Sequence, residues 1–450
     1  MISYFMKRIT ESLTRHLEII RNVFLNFIMP LILLIETGFN LIWKKEKLNV
    51  STKSKNNIII IGGSLANKGA QAMTFTVVDQ MSRRFPNKKF YLFSIFESET
   101  NQSYKYKFTI KAWTNWHRIL LSSVLHKYFL KTFKRKLFDT KLENIVENAA
   151  LIIDISGYRF SSQFDPNYWI FYILDIMIAK KQKIPYLIFP QSIGPFNFSF
   201  KNRIFFYPLA KYYLKYPKVI FSREYDGLRY LNQFKNINIK KTFDIVIQNE
   251  GYNLSNIYRE EIKIKDYNIL PNSVCIIPNR MVNERIKTEE IYSIYSYILK
   301  KLMNANKNVY ILRHSNGDIE ICEKIKNLLT NNERIYLISD DLNVIEIENL
   351  IKKFDFVIAS RYHSIIHAYK NGVPAIVIGW AIKYYELLDY FKQADYYYDI
   401  RDLINIEIIE KSLEKMLLNF QHEKEKIKSR FESILKKRNC FHIINKNIQK

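Results

Sequence analysis

Four consecutive residues, Ser360-Arg361-Tyr362-His363, follow an apolar run, Phe356-Val357-Ile358-Ala359. A guanidinium and an imidazole two residues apart, at the end of a buried strand, bring a fixed cation beside a group that titrates near neutrality. The next apolar run ends at Gly379, and Lys383 follows it. One strand-end loop thus presents Arg361 and His363, and its neighbour presents Lys383. That makes a cationic pocket with one group that titrates near neutrality; the other reading of His363 is a structural histidine satisfied within the fold. His367, one helical turn later, reads as packing or support for the site. A His363/His367 metal pair lacks a third ligand and an HExxH pattern, so no metal site is expected.

Three other segments carry polar residues where strands should end. Arg223, in Ser222-Arg223-Glu224, has a planar fork that matches carboxylate or phosphate. Asp154, in Asp154-Ile155-Ser156-Gly157-Tyr158-Arg159-Phe160, has two readings: a general base or sugar-hydroxyl acceptor, or a cap on nearby backbone. Gly62-Gly63-Ser64-Leu65-Ala66-Asn67-Lys68-Gly69-Ala70 joins a strand to a helix. It offers backbone N–H groups at a positive helix end, or is an ordinary tight turn. It is neither a Walker A loop nor a strict GxGxxG. No DxD and no GxSxG occurs.

The elements that would position these residues alternate. Strands are expected at Ile58–Ile61, Phe90–Ile95, Leu151–Ile153, Tyr186–Phe189, Val219–Phe221 and Phe243–Ile247, with a helix at Ala70–Arg84. Tyr186–Phe189 runs into a turn-rich loop, Pro190-Gln191-Ser192-Ile193-Gly194-Pro195. After a polar stretch, Gln248–Asn272, strands restart at Val274–Ile277, Val309–Leu312, Ile335–Ile338, Phe356–Ala359 and Ala375–Ile378. Helices are expected around Glu289–Met303, Ile319–Leu329 and Val344–Lys353, and after Arg361. Repeated βα units predict parallel sheets covered by helices. The fold class is therefore α/β: two Rossmann-like domains facing across a cleft, glycosyltransferase-B-like. The predicted domains are residues 56–250 and 270–400. An extension, 1–55, precedes them, and a helical tail, 401–450, follows and braces the pair. Ligands in such sheets lie beyond the carboxyl ends of the strands.

Composition narrows the class. The 450 residues carry 69 Lys+Arg against 43 Asp+Glu, a formal charge of +26. That excess favours anionic partners. No arginine-rich block or zinc-finger spacing accompanies it, so nucleic acid is not expected. Three scattered cysteines make a disulfide framework or thiolate zinc site improbable and suit a reducing, cytoplasmic compartment. Phe24–Trp43 is mostly apolar, with Arg21 before it and Lys44, Lys45 and Lys47 after it. Pro30, Glu36, Asn26 and Asn40 interrupt it, which disfavours a spanning helix. Two readings stand: a helix on the inner face of the membrane, its basic flanks meeting acidic lipid, or a helix packed on the protein.

Taken in order, these segments resemble the polysaccharide pyruvyl transferase family. The similar residues are Gly62-Gly63 through Asn67, Gly69 and Ala72-Met73; Asp154 through Phe160; Pro190 through Phe196; Ser222-Arg223-Glu224; and Arg361-Tyr362-His363 through Lys383. They span about Asn57 to Ile400. The resemblance implies transfer of a pyruvyl group from phosphoenolpyruvate to a sugar of a cell-surface polysaccharide or its lipid-linked precursor, forming a ketal, with no cofactor. It implies that Arg223, His363 and Lys383 contact phosphoenolpyruvate with Arg361 beside them. His363, Arg361 and Asp154 are the expected catalytic residues. Arg223, Lys383, Asn67, Gly69 and Gln191 are the expected substrate contacts. Two positions depart from the family's habit: Ser156, where a second glycine is usual, and Arg159, near where an acid is often found. The rival readings are a glycosyltransferase using a nucleotide-sugar, and a non-catalytic, membrane-docked subunit.

Overall fold

Four successive isoleucines, Ile58 to Ile61, have no polar face to offer water, and such a run is stable only between two covering layers. In the computed structural model of the chain all four are buried in strand β1 (Asn57–Ile61). The structure describes residues 28–42, 55–122, 140–285, 288–329, 332–401, 406–437 and 439–444. Arg21, Phe24, Asn26, Trp43, Lys44, Lys45 and Lys47 lie outside the described residues.

The first sheet has seven strands: β1, β2 (Lys89–Ser94), β3 (Thr109–Ala112), β4 (Ala149–Asp154), β5 (Tyr186–Gln191), β6 (Val219–Ser222) and β7 (Ile239–Lys241). Their order is β3-β2-β1-β4-β5-β6-β7. The second has β8 (Ser273–Ile277), β9 (Asn308–Leu312), β10 (Ile335–Ile338), β11 (Phe356–Ala359), β12 (Ala375–Gly379) and β13 (Tyr397–Asp399). Its order is β10-β9-β8-β11-β12-β13. Both sheets are built from parallel pairs. The chain builds outward from β8 to β10, then returns to lay β11 on the other side of β8. The β8/β11 pair is therefore the topological switch point of the second sheet, where α/β sheets hold ligands.

One expected strand does not form. Phe243–Ile247 is a buried turn, and the edge strand is Ile239–Lys241. The apolar side chains of Ile245, Val246 and Ile247 are fully buried, which made them look like a strand. The Asp244 carboxylate accepts the Val246 N–H at 2.9 Å and bends the chain instead. The short strands β3 and β13 were not foreseen; each has only three or four residues.

The chain divides into two compact units, one of residues 1–59 and 113–241, the other of 60–112 and 242–450. In the first, the helix Asn167–Lys181 is buried from Trp169 to Ala179. Phe160 and Phe206 pack on Tyr172 and Trp169 of that helix. The N-terminal helix, Met29–Ile42, also belongs here. It buries Met29, Leu33, Glu36 and Thr37, and the Thr37 and Tyr213 hydroxyls lie 3.2 Å apart. Ile28, Leu31, Ile32 and Ile35, at helical i, i+3, i+4, i+7 spacing, are 39–51% exposed. This helix thus has two apolar stripes, only one of which is covered by the described residues. No described helix is long and apolar enough to cross a membrane.

In the second unit, the helix Thr288–Asn304 and the tail helix Ile406–Leu435 join the strands in one core. Ile294, Ile298 and Leu302 meet Val274 and Ile276, and Ile409, Leu413 and Met416 close it. Caps fix where the helices begin. Asn343 accepts the Ile345 and Glu346 N–H groups while Glu346 reaches back to the Asn343 N–H, a reciprocal box contributing about 1 kcal/mol.

Candidate active site

The β8/β11 switch point is held by backbone and side chains together. Ser360 N–H donates to the Ile277 carbonyl at 2.9 Å. The Ser360 carbonyl accepts from Asn279 Nδ2 and the Tyr384 hydroxyl, both at 3.1 Å. Arg361 then takes an extended conformation, φ −97° and ψ 120°, just before the first turn of the helix Tyr362–Lys370. His363 follows in the first turn, half-hidden at 13% exposure. The end of β11 and the first turn of that helix thus fix where Arg361 and His363 stand.

Three neighbours fix the His363 ring. Nε2 lies 3.6 Å from Oδ2 of Asp244, whose side chain is fully buried in the turn described above. The Tyr362 ring meets the imidazole edge to face at 5.6 Å. Gly69, in the first turn of the helix Lys68–Arg84, closes the third side. A Cβ on Gly69 would come within 2.3 Å of His363 Nδ1. Only glycine leaves that space open.

Arg361 is oriented by Asp318, a fully buried residue. Arg361 Nε donates to Asp318 Oδ2 at 2.9 Å, and Nη2 donates to Oδ1 in a second, parallel bond. Asp318 also accepts the backbone N–H groups of Ser315 and Arg280, each at 3.1 Å. The β9 loop is thereby tied to the end of β11. Lys383 lies over the rings of Tyr362, Trp380 and Tyr384 at 5.2, 5.5 and 5.5 Å. Its charge rests on the same Tyr362 that packs on His363. Lys68 pairs with Asp341 at 2.7 Å. Arg361 and His363 thus follow β11, Lys383 follows the adjacent β12, and Tyr362 lies against both His363 and Lys383.

His367 does something different. Its Nδ1 is 2.9 Å from Glu348, which also pairs with Lys370 at 2.9 Å. Burial alone would raise the Glu348 carboxyl, but the His367 hydrogen bond and the Lys370 charge prevail and hold it at about 2. His367 is thus engaged in a buried ion cluster. Among the described residues, no group of three or more His, Cys, Asp or Glu could hold a metal ion.

The glycine-rich loop is satisfied from within. Glu99 accepts the N–H groups of Leu65 and Ala66, each at 2.8 Å, and the Ser64 hydroxyl at 2.6 Å. Asn67 caps the helix, accepting Gly69 and Ala70 N–H at 3.0 and 3.2 Å. These four donors, expected to face an anion or a sugar hydroxyl, face protein oxygens instead. The Glu99 carboxylate takes the loop N–H groups and the Asn67 amide oxygen takes those of the first helical turn.

In the other unit, Asp154 is fully buried at the end of β4. It accepts Ser156 N–H at 2.8 Å and the Tyr186 hydroxyl at 2.9 Å, and burial pushes its carboxyl up. Arg159 and Arg118 both donate to Asp175, at 3.0 and 2.9 Å. Arg159, where the family often has an acid nearby, is thus spoken for by a buried acid on the next helix. Arg223 reaches back with Nη2 to the Gly157 carbonyl at 2.9 Å and the Ser192 hydroxyl at 2.7 Å. Gln191 is buried in β5, with Oε1 left without a hydrogen-bond partner. Arg223, Gln191 and Asp154 therefore line three neighbouring strand ends of their own unit.

Four residues of the second unit that bear on this arrangement carry no mark in the sequence reading: Asp244, Asp318, His314 and Glu99. The signal for His314 was present, because Arg313-His314 directly follows β9 as Ser360-Arg361 follows β11.

Comparison with known proteins places this geometry. The fold is similar to that of a putative UDP-N-acetylglucosamine 2-epimerase from Listeria monocytogenes: 14% identity, TM-score 0.51, 83% of this chain and 90% of that one covered. It is also similar to a glycosyltransferase from Rickettsia africae: 11% identity, TM-score 0.51, 88% and 100% covered. At such identity the likeness shows the α/β, glycosyltransferase-B-like fold. No curated protein matches the chain. The polysaccharide pyruvyl transferase family matches residues 67–382, more than half of the chain and all of the segment from Asn67 through Arg361 and His363. This chain belongs to the polysaccharide pyruvyl transferase family.

Proposed function

We propose that this chain transfers the pyruvyl group of phosphoenolpyruvate to two hydroxyls of a sugar on a cell-surface polysaccharide or its lipid-linked precursor. The observation that carries the reading is His363, held between Gly69 and the Asp244 carboxylate, beside Arg361 and Lys383. The reaction begins when the protonated imidazole gives its proton to the methylene carbon. Carbon 2 becomes oxocarbenium-like, one sugar hydroxyl adds to it, and the phosphate bond breaks. The second hydroxyl then closes the ketal. Of the two hydroxyl protons released, one restores His363 and the other leaves with phosphate. Asp244 orients the ring and balances its charge while it carries the proton. Arg361 and Lys383 serve the phosphate and carboxylate as charge redistributes.

The test is donor choice. Phosphoenolpyruvate is expected to raise the melting midpoint of the protein, and a nucleotide-sugar is not. Protection by the nucleotide-sugar alone would identify a glycosyltransferase instead. Arg223 is the second arginine proposed to serve the donor. Arg223→Lys keeps the charge and loses the fork, and the expected result is a loss of about tenfold or more in phosphoenolpyruvate affinity by calorimetry. Unchanged affinity removes Arg223 from the site.

The uncovered stripe of the helix Met29–Ile42 supports docking on an anionic membrane, where a lipid-linked acceptor would be found. The chain as a whole carries +26. Apolar area plus basic charge is what binds a helix to an acidic surface. Full-length protein is expected to sediment with anionic vesicles, less so at high salt, and the double variant Leu31→Glu/Ile35→Glu is expected to stay folded in the supernatant. Wild-type-like sedimentation of the variant contradicts docking. Loss of self-association by the variant, with vesicle binding intact, assigns the stripe to a second copy of the chain.

A further inference from the structure

Among the described residues of the second unit, His314 is a buried histidine with both ring nitrogens unmet. It sits in the loop after β9, is 3% exposed, and neither of its ring nitrogens has a hydrogen-bond partner. An imidazole carries one donor and one acceptor, and a buried polar group left unmet destabilises a protein unless something external meets it. The loop is not slack. Asp318 ties it to Arg361, to the Ser315 N–H and to the Arg280 N–H, so His314 is held where it is. Its electrostatic neighbours include two residues of the candidate site, Arg361 and His363, together with His367 and Lys68.

We infer that His314 is a donor-binding residue of the site, giving one ring N–H to an anionic oxygen of the phosphorylated donor. The inference rests on the pyruvyl-transfer reading above and extends it to a residue of the β9 loop. Burial first, and then the charges of Arg361, His367, His363 and Lys68, push the imidazole well below its ordinary range. His314 therefore stays uncharged near neutrality. An uncharged imidazole still donates a hydrogen bond, and it adds no further positive charge to a pocket already holding Arg361 and Lys383. The division of labour is then clear: the proton is moved by His363, which has a carboxylate beside it, and His314 only holds. Its ring nitrogens have no partner within the protein and gain one from the donor.

This account predicts two effects of opposite sign. His314→Leu removes the unmet nitrogens, so the unliganded protein keeps its melting midpoint or gains about 2–4 °C. The same variant loses about 10–100-fold in phosphoenolpyruvate affinity by calorimetry, the scale of one hydrogen bond to a charged group. His314→Gln, which retains an N–H donor, recovers part of that affinity. A histidine serving only the fold gives the reverse: a lower melting midpoint in His314→Leu with unchanged affinity. Should His314→Leu fail to fold, the inference is overturned, because the ring would then be structural. Equal affinity in wild type and His314→Gln together with an unaffected His314→Leu also overturns it. Wild-type protein that does not bind phosphoenolpyruvate at all sinks the pyruvyl-transfer reading, and this inference with it. Wild type that binds, beside a Leu variant that binds equally, sinks the inference alone.

Discussion

His363→Gln is expected to lower turnover by about two or more orders of magnitude while leaving the fold intact. Glutamine has a similar reach and can still hydrogen-bond, but it cannot deliver a proton to carbon, and general acid catalysis contributes on that scale. The ring is fixed on every described side: Asp244 at Nε2, Tyr362 against its face, and Gly69 next to Nδ1. Because its backbone sits in the first turn of a helix after a buried strand, the substitution has little to disturb. Donor binding is expected to survive in large part, since Arg361 and Lys383 remain. His367→Gln is expected to behave differently. It breaks the bond to Glu348 and is felt in stability, with far less effect on turnover. A His363→Gln enzyme of near-normal turnover contradicts the assignment of His363 as the acid.

Gly69→Ala is expected to lower turnover about 100-fold without destabilising the protein. The new methyl would stand 2.3 Å from His363 Nδ1, closer than two such atoms approach, so the ring must move. A displacement on the order of 1 Å at a reacting group costs about 10²-fold. The glycine's conformation allows alanine, and alanine favours a helix over glycine by up to about 1 kcal/mol. Activity and stability are therefore expected to part company: a normal or raised melting midpoint beside a slow enzyme. That combination is measured by steady-state kinetics and thermal unfolding of the same preparation. A fully active Gly69→Ala variant would show that the ring has room to spare, and the packing argument would fail.

Much of the scaffold was legible because buried parallel strands write themselves as uninterrupted apolar runs. Ile58–Ile61, Val274–Ile277 and Phe356–Ala359 could be read that way, and each lies within an observed strand. Arg361 and His363 followed from position alone, as polar residues just past such a run. What lay outside reach was the set of groups that hold them. Asp318 comes from a different strand-end loop, and nothing local marks it as the partner of Arg361. Asp244 was concealed by its neighbours, since Phe243–Ile247 carries the composition of a strand while its backbone turns. Gly69 reads in the sequence as a substrate contact, whereas its close approach to His363, a residue far along the chain, is steric and leaves no local mark. The loop around it keeps both readings, anion cradle or ordinary tight turn, because a single sequence does not reveal that Glu99 accepts its N–H groups.

The most direct test of the central claim is chemical. The purified protein is incubated with phosphoenolpyruvate and an extract of lipid-linked glycans, and released phosphate is measured alongside the mass of the glycans. Pyruvyl transfer predicts phosphate release that depends on the glycan, with a matching gain of one pyruvate ketal per glycan, and both absent with His363→Gln. Phosphate release without any glycan mass gain, or a gain that persists in His363→Gln, would contradict the account.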